Sequence, residues 1–146
     1  MAFTYPQSRP IRENAYRYMF QCWPSSAFDV MAFHDRSVLQ DRRQLLIFKD
    51  QAEVAVAKCR MVAGKSDPNE AALVDDATRA MSPLIKRKEW WCKLYVAETL
   101  ARNKDIFKNH DAFPELKDEK HPWIREALDK PFSGIQYRRE AKNDFR

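Results

Sequence analysis

The sequence predicts an all-α fold in which three helices form a bundle and a long irregular extension follows. Glycine is nearly absent, with two residues in 146, and β-branched residues do not occur in runs, so strands are disfavoured. Apolar residues instead recur at steps of three and four through the first two thirds of the chain. We therefore divide the chain into an irregular leader over residues 1–9, a helical domain over 10–102 and a C-terminal extension over 103–146.

The first predicted helix ends before Pro24, after a stretch of helical spacing. Tyr16 lies beside its core-facing side, and Arg17 projects from its polar side. A helix this short is marginal in isolation, so it must pack against a longer one. The residues that we expect on its core face are Ile11, Ala15, Tyr18 and Cys22.

A connector over residues 24–36 follows, apolar enough to pack against the domain and able to form a short helical turn. The second helix is the clearest element, because apolar residues from Val38 to Val62 keep a seven-residue repeat. Gly64 is placed to end this helix, since glycine adopts the left-handed conformation that terminates many helices.

The third helix has a strong start signal. Asp67 can cap it, Pro68 suits its first position, and Glu70 completes a capping box. Pro83 then either kinks a continuous helix or marks the start of a fresh one. Helical spacing continues beyond this proline, so we expect helix up to about Arg102.

The extension combines prolines, mixed charge and isolated aromatic residues, and only Pro122–Leu128 has the spacing of a short helix. Such a segment cannot build a core of its own, so it either lies along a partner or wraps around its own domain. Trp90 and Trp91, within the third predicted helix, diverge by about 100° on a helix. We expect one in the core and the other against a partner.

Several classes of function are disfavoured by the residues present. The two glycines form no phosphate-binding pattern, and no catalytic triad or pair of carboxylates in an apolar frame occurs, so we predict no enzymatic activity. No apolar run approaches the ~20 residues of a membrane span. We expect the three cysteines, one per predicted helix, to be buried thiols, with a disulfide as the alternative in an oxidising compartment, and we expect no metal site.

The net charge of +5 suits an acidic protein, RNA or an anionic membrane surface and does not choose among them. Basic residues alternate with acidic ones throughout, as in Lys117-Asp118-Glu119-Lys120, so no basic stripe for nucleic acid is visible. Arg9 and Arg12 precede any acidic residue, which is compatible with mitochondrial import, although no cleavable presequence is evident.

Two short motifs at this spacing resemble the LYR-motif family. The family signature is Leu-Tyr-Arg early in helix one, where this chain has Ala15-Tyr16-Arg17 with the leucine replaced. A second match is Asp67-Pro68, at the turn before helix three. The spacing is most similar to the family's accessory subunit in the matrix arm of mitochondrial respiratory complex I, which holds the mitochondrial acyl-carrier protein. The similarity covers roughly residues 10–95.

The resemblance implies an LYR-type bundle and a non-catalytic accessory subunit on the matrix side of the mitochondrial inner membrane. The implied partners are the acyl-carrier protein and neighbouring complex I subunits, with no nucleic acid and no transmembrane span. The chain would have no cofactor of its own, and the carrier would contribute a phosphopantetheine-linked acyl chain.

The resemblance also implies a set of contacts. The residues that would bind the acidic carrier are Tyr16, Arg17, Arg42, Arg43 and Lys49. The residues that would line the acyl-chain groove are Phe48, Ala52 and Ala55.

Two alternatives remain open. Arg17 can instead pair with Glu13 or Gln21 on a solvated helix face. The whole chain can instead be an RNA-associated or other structural subunit of a mitochondrial assembly such as the mitoribosome, because basic charge and aromatic anchors in a long extension also fit that role.

Overall fold

The computed structural model of the chain describes residues 9–108 and 113–129, and the all-α prediction is confirmed for them. Most of the predicted leader and the last part of the predicted extension lie outside these residues. The described segments contain no strand. Their α-helices are α1 (Arg9–Cys22), α2 (Pro24–His34), α3 (Arg42–Val62), α4 (Glu70–Ile85), α5 (Trp90–Arg102) and α6 (Pro122–Asp129), with 3-10 turns at Arg36–Val38 and Pro114–Leu116.

Helix α5 is the centre of the fold, because α1, α2, α4 and α6 all pack against it. Nine of its thirteen residues are buried, as expected for a helix covered on most sides. Helix α3 has a different position, since it packs mainly on α4 and less extensively on α2. No described helix is both long and apolar enough to cross a membrane.

The connector predicted over residues 24–36 packs on the domain as expected, but most of it is a helix of its own, α2, and not a short helical turn. Pro24 occupies its first turn, where a missing N–H costs nothing. Phe28 is fully buried, and its ring centroid lies 5.0 Å from that of Trp91 and 5.2 Å from that of Tyr95. Packing against α5 therefore stabilises a helix whose sequence has no clear helical stripe.

Helix α3 begins at Arg42 and not near Val38, because a 3-10 turn intervenes. Asp35 holds this turn: its carboxylate accepts hydrogen bonds from the Ser37 N–H at 3.0 Å and the Ser37 hydroxyl at 2.6 Å. The predicted end of α3 is confirmed, because Gly64 follows with a φ of +74° in the left-handed region.

The predicted third helix is two helices, and the break is not at Pro83. This proline lies inside α4, which ends at Ile85, and α5 begins only at Trp90. Glu70 is the first residue of α4. Asp67 therefore does not occupy the N-cap position, and the predicted capping box between Asp67 and Glu70 does not form. Asp67 instead accepts a hydrogen bond from the Asn69 N–H at 2.7 Å in the preceding turn. The predicted end of the helix at Arg102 is confirmed.

Helix α1 faces the core differently from the prediction. Among the α1 side chains that the structure describes, which exclude Ile11 of the predicted stripe, Phe20 outside that stripe is the fully buried one, whereas Tyr18 of the stripe is 39% exposed. The reason is an aromatic partner on α5: the Trp90 ring centroid lies 6.1 Å from that of Phe20 and 6.5 Å from that of Tyr16. Arg102 of α5 also donates hydrogen bonds to the last carbonyls of α1.

The described part of the extension packs on its own domain. The helix predicted near residues 122–128 is confirmed as α6, which lies along α5. Its apolar side joins the core, together with two aromatic residues of the preceding segments. The buried members are Phe107, Phe113, Leu116, Ile124, Ala127 and Leu128.

Candidate functional site

The surface around Arg17 combines α1 with α6. The Arg17 guanidinium forms an ion pair with the Glu126 carboxylate, and the two side chains are 35% and 42% exposed. Gln21, one of the partners considered from the sequence, does not take this place, and the side chain of Glu13, the other, lies outside the described ones. Arg17 thus lies at the protein surface, held by one carboxylate of its own chain.

Beneath this ion pair the site is closed. Arg17 and Glu126 line a cavity of about 10 Å³ together with the buried Glu98 and the half-buried Trp123. A space this small holds at most about one water molecule. The Arg17–Glu126 ion pair therefore lies over closely packed side chains and not at the mouth of an open cleft.

Tyr16, the neighbour of Arg17, belongs to an aromatic cluster and not to the open surface. It is half-buried and packs near Trp90. Trp90 is in turn stacked on His121 at a centroid distance of 5.7 Å and meets Trp123 edge to face at 5.4 Å. The expectation that one tryptophan of the Trp90-Trp91 pair lies in the core is confirmed by Trp91, which is 1% exposed, and the expected partner contact of the other stays a prediction. Trp90 is packed by α1 and by residues 121–123 of the same chain.

Arg42 has a role inside the fold. Its guanidinium donates hydrogen bonds to the carbonyl oxygens of Ala32 at 2.7 Å and Phe33 at 2.8 Å, at the C-terminal end of α2. It also lies 5.3 Å from the centre of the Phe33 ring. A cation at this end of a helix satisfies free carbonyls and complements the helix dipole. Arg42 therefore fastens α2 to the start of α3.

Lys49 is a buried cation, with only 6% of its side chain exposed. Its ammonium donates hydrogen bonds to Asp29 at 2.6 Å and to the Ser25 hydroxyl at 3.2 Å, and it lies 3.9 Å from Glu53. Burial alone lowers the pKa of Lys49, but the bond to Asp29 and the charges of Glu53 and Asp50 outweigh this effect and raise it. Lys49 is therefore charged, and it is turned toward α2.

Arg43 is the most open of the predicted carrier-binding residues. It is exposed in the first turn of α3, and no described residue forms an ion pair with it. The dipole of α3 disfavours a cation at this end of the helix. Arg43 thus has no stabilising contact with the described residues, in contrast to Arg42.

The three residues predicted for an acyl-chain groove lie at different depths. Ala52 is 1% exposed in the core, and Phe48 is half-buried against it. Ala55 lines an open groove of about 330 Å³ between α3 and α4, which Val54 and Leu73 also line. The structure therefore brings only Ala55 of the three to a surface cavity.

The buried ionisable side chains of the core are not activated nucleophiles. Burial raises the pKa of the Cys92 thiol and of the Cys59 thiol, so both remain protonated. Burial likewise raises the pKa of Tyr95, whose hydroxyl donates to Glu53 at 3.2 Å. All three cysteines are free thiols. Among the described residues, no group of His, Cys, Asp and Glu side chains could hold a metal ion.

The intrachain partners of the predicted cations could not be recognised from the sequence. Glu126 pairs with Arg17 from a position 109 residues away along the chain, and Asp29 pairs with Lys49 from a segment predicted as a connector. The burial of Lys49 had one usable signal in the sequence, its place in the seven-residue repeat of α3. Lys49 follows Leu45 by four residues and precedes Ala52 by three, and both of these residues are buried. Comparisons of the chain with family models, with curated proteins and with solved structures found no match.

Proposed function

We propose that this chain is a non-catalytic accessory subunit with an LYR-type helical bundle that anchors an acyl-carrier protein. In this proposal it belongs to mitochondrial complex I on the matrix side of the inner membrane, where it stabilises the matrix arm and contacts neighbouring subunits. The observation that supports carrier binding best is the Arg17 guanidinium. It is one-third exposed on α1, and a single half-exposed carboxylate holds it.

An acidic partner can compete for this guanidinium at low cost. An exposed ion pair contributes about 0–1 kcal/mol, so the Arg17–Glu126 pair gives way to a better-placed carboxylate or phosphate. Arg43 supplies a second open cation. Arg42 and Lys49 contribute indirectly, because they bind groups of α2 and so fix the position of α3 against that helix. Tyr16 positions Arg17 by packing against Trp90.

We propose an acyl-chain site with fewer lining residues than the resemblance implies. Ala52 is buried in the core and Phe48 is half-buried against it, so of the three residues Ala55 is the one that lines a groove open to a lipid tail. Each buried methylene would contribute about 0.8 kcal/mol, and the groove is at the small end of ligand sites. In this arrangement charge steers the encounter, and the acyl chain lengthens the residence of the carrier.

Binding of purified acyl-carrier protein to variants of the full chain tests the proposal. We expect Arg17→Ala and Arg43→Ala each to weaken binding by up to roughly fivefold, because each removes one surface contact. Glu126→Gln should strengthen binding, because it frees Arg17 from its competitor. Arg79→Ala is the matched control, since Arg79 is an exposed arginine on α4 that pairs with Asp76. Isothermal titration calorimetry and thermal melts of each variant separate lost contacts from lost folding.

Equal affinity of wild type, Arg17→Ala and Arg43→Ala for the carrier would contradict the proposal. A second measurement addresses the competing class of function. Mass spectrometry of the protein isolated with its partners should detect an acyl-phosphopantetheine on a small acidic protein. Ribosomal RNA in its place would point to the mitoribosome.

A further inference from the structure

The outer side of α3 carries three exposed apolar residues in a regular row. Ile47, Val54 and Met61 are 40%, 55% and 70% exposed. They are seven residues apart, and seven residues turn an α-helix to within about 20° of two full turns. We call this row the α3 stripe. Large apolar side chains aligned on one exposed face indicate an interaction surface more strongly than scattered ones do.

The two charges that flank Val54, the central residue of the α3 stripe, are of opposite sign. Asp50 lies four residues before Val54 and Lys58 four residues after it, and both are exposed. Asp50 is 71% exposed in its side chain, and its nearest cation, Lys49, lies 3.6 Å away on the inner side. No described residue forms an ion pair with Lys58. Around Val54 the face is thus acidic on the N-terminal side and basic on the C-terminal side, and the exposed Arg43 adds a cation four residues before Ile47.

This arrangement is complementary to itself. A two-fold axis at Val54 that sets two copies of α3 antiparallel brings Val54 against Val54 and Ile47 against Met61, roughly 10 Å on either side. The same axis brings Asp50 of each copy to the level of Lys58 of the other, roughly 6 Å from the centre. The Asp50–Lys58 ion pair therefore forms twice, once on each side of the axis. The other large apolar residues that are exposed in the described structure are Tyr18, Trp23, Phe33 and Leu39, and no two of them lie on one helix.

We infer that the α3 stripe is the interface of a homodimer in which two copies of α3 pair antiparallel about Val54. The occupant of this face is therefore a second copy of the chain. A pair of single helices buries an area near the lower limit of specific interfaces, so we expect a dissociation constant of roughly micromolar size. The stripe adjoins the groove at Ala55, so dimerisation and a lipid tail in that groove exclude each other.

Charge reversal in the full chain, purified without carrier protein, tests the antiparallel register. Asp50→Lys or Lys58→Glu alone places like charges opposite each other twice per dimer. Each should weaken dimerisation by at least about tenfold in sedimentation equilibrium, since two attractions become two repulsions. The double variant Asp50→Lys with Lys58→Glu restores both pairs in reversed sign. It should dimerise within about threefold of the wild type.

Covalent trapping tests the position of the axis. Val54→Cys places two thiols at the two-fold axis, so mild oxidation should yield a disulfide-linked dimer. The wild type is one control, because its thiols are buried or half-buried, and Arg79→Cys on the exposed side of α4 is the other. Neither should form the linked dimer.

Three results would overturn the inference: a wild-type chain that is monomeric at high micromolar concentration, a double variant that stays as weak as the single ones, or equal crosslinking of Val54→Cys and Arg79→Cys. None of these results depends on carrier binding, so the proposed function stands or falls separately.

Discussion

Helices α5 and α3 contain the same kinds of apolar residue and differ in how far the fold covers them. Nine of the thirteen residues of α5 are buried, against four of the twenty-one of α3. Four helices surround α5, whereas α3 lies on α4 and α2 and leaves one side open. An apolar residue therefore stabilises the fold in α5 and is available to a partner in α3. Position in the tertiary structure decides which role it has.

The largest expected effect contrasts one residue from each helix. Leu100→Ala in α5 should lower the free energy of unfolding by about 2–5 kcal/mol, because it leaves a cavity at a residue that is 1% exposed. Val54→Ala in α3 should change it by no more than about 0.5 kcal/mol. Urea denaturation at low protein concentration measures both. Equal losses would mean that the outer side of α3 is covered within the monomer.

The next effect concerns the buried charge on the inner side of α3. Asp29→Ala should cost roughly 1–2 kcal/mol, because it removes the closest partner of a buried ammonium while Glu53 remains 3.9 Å away. Lys49→Met keeps most of the volume without the charge and should be nearly neutral. The double variant should resemble Lys49→Met. A double-mutant cycle in urea gives the coupling energy, and a value near zero would show that the pair is not formed in solution.

The smallest effect concerns the cover that α6 provides for α5. The Nδ1 atom of His121 accepts a hydrogen bond from the Trp123 N–H at 3.2 Å, at the start of α6. Burial lowers the pKa of His121 below its usual value, although Glu119 opposes the shift. The unfolded chain then binds the proton more readily than the folded one, so the stability from this contact is fully present above about pH 6.5. It is lost as the pH falls through the folded-state pKa.

We expect this loss to be roughly 0.5–1 kcal/mol, the size of one helix-capping bond. Thermal unfolding between neutral and mildly acidic pH should show it in the wild type. His121→Asn is the matched variant, since asparagine caps a helix without titrating. A wild type and variant with the same dependence on pH in this range would rule out the contribution of His121.

Local chemistry explains the parts of the fold that could be predicted from the sequence. Gly64 ends α3 because its backbone conformation favours glycine, and Pro122 marks the start of α6 because proline suits a first turn. The sequence did not predict helix α2, because α2 has no apolar stripe of helical spacing. Its stability comes from Phe28, which packs against α5. The break after Ile85 was missed because the nearest proline, Pro83, is tolerated inside the helix.

The candidate site was harder to predict than the fold for a related reason. Arg42, Arg43 and Lys49 are all cations on one helix, and the sequence distinguishes only Lys49, by its place between Leu45 and Ala52 in the seven-residue repeat. Contacts with α2 separate them, since two of the three are bound by groups from that helix. The sequence thus shows that these three side chains are cations, but their exposure to solvent depends on contacts with α2.

By itself the sequence determined that this protein is helical and where several of its helices end, because glycine content, apolar spacing and terminal residues act through the local backbone. Only the tertiary structure decided which residues meet. Arg17 pairs with Glu126, and Lys49 with Asp29, because the helices that carry them pack together. Burial and charge pairing depend on the positions of distant segments, and those positions result from the free energy of the whole packed core.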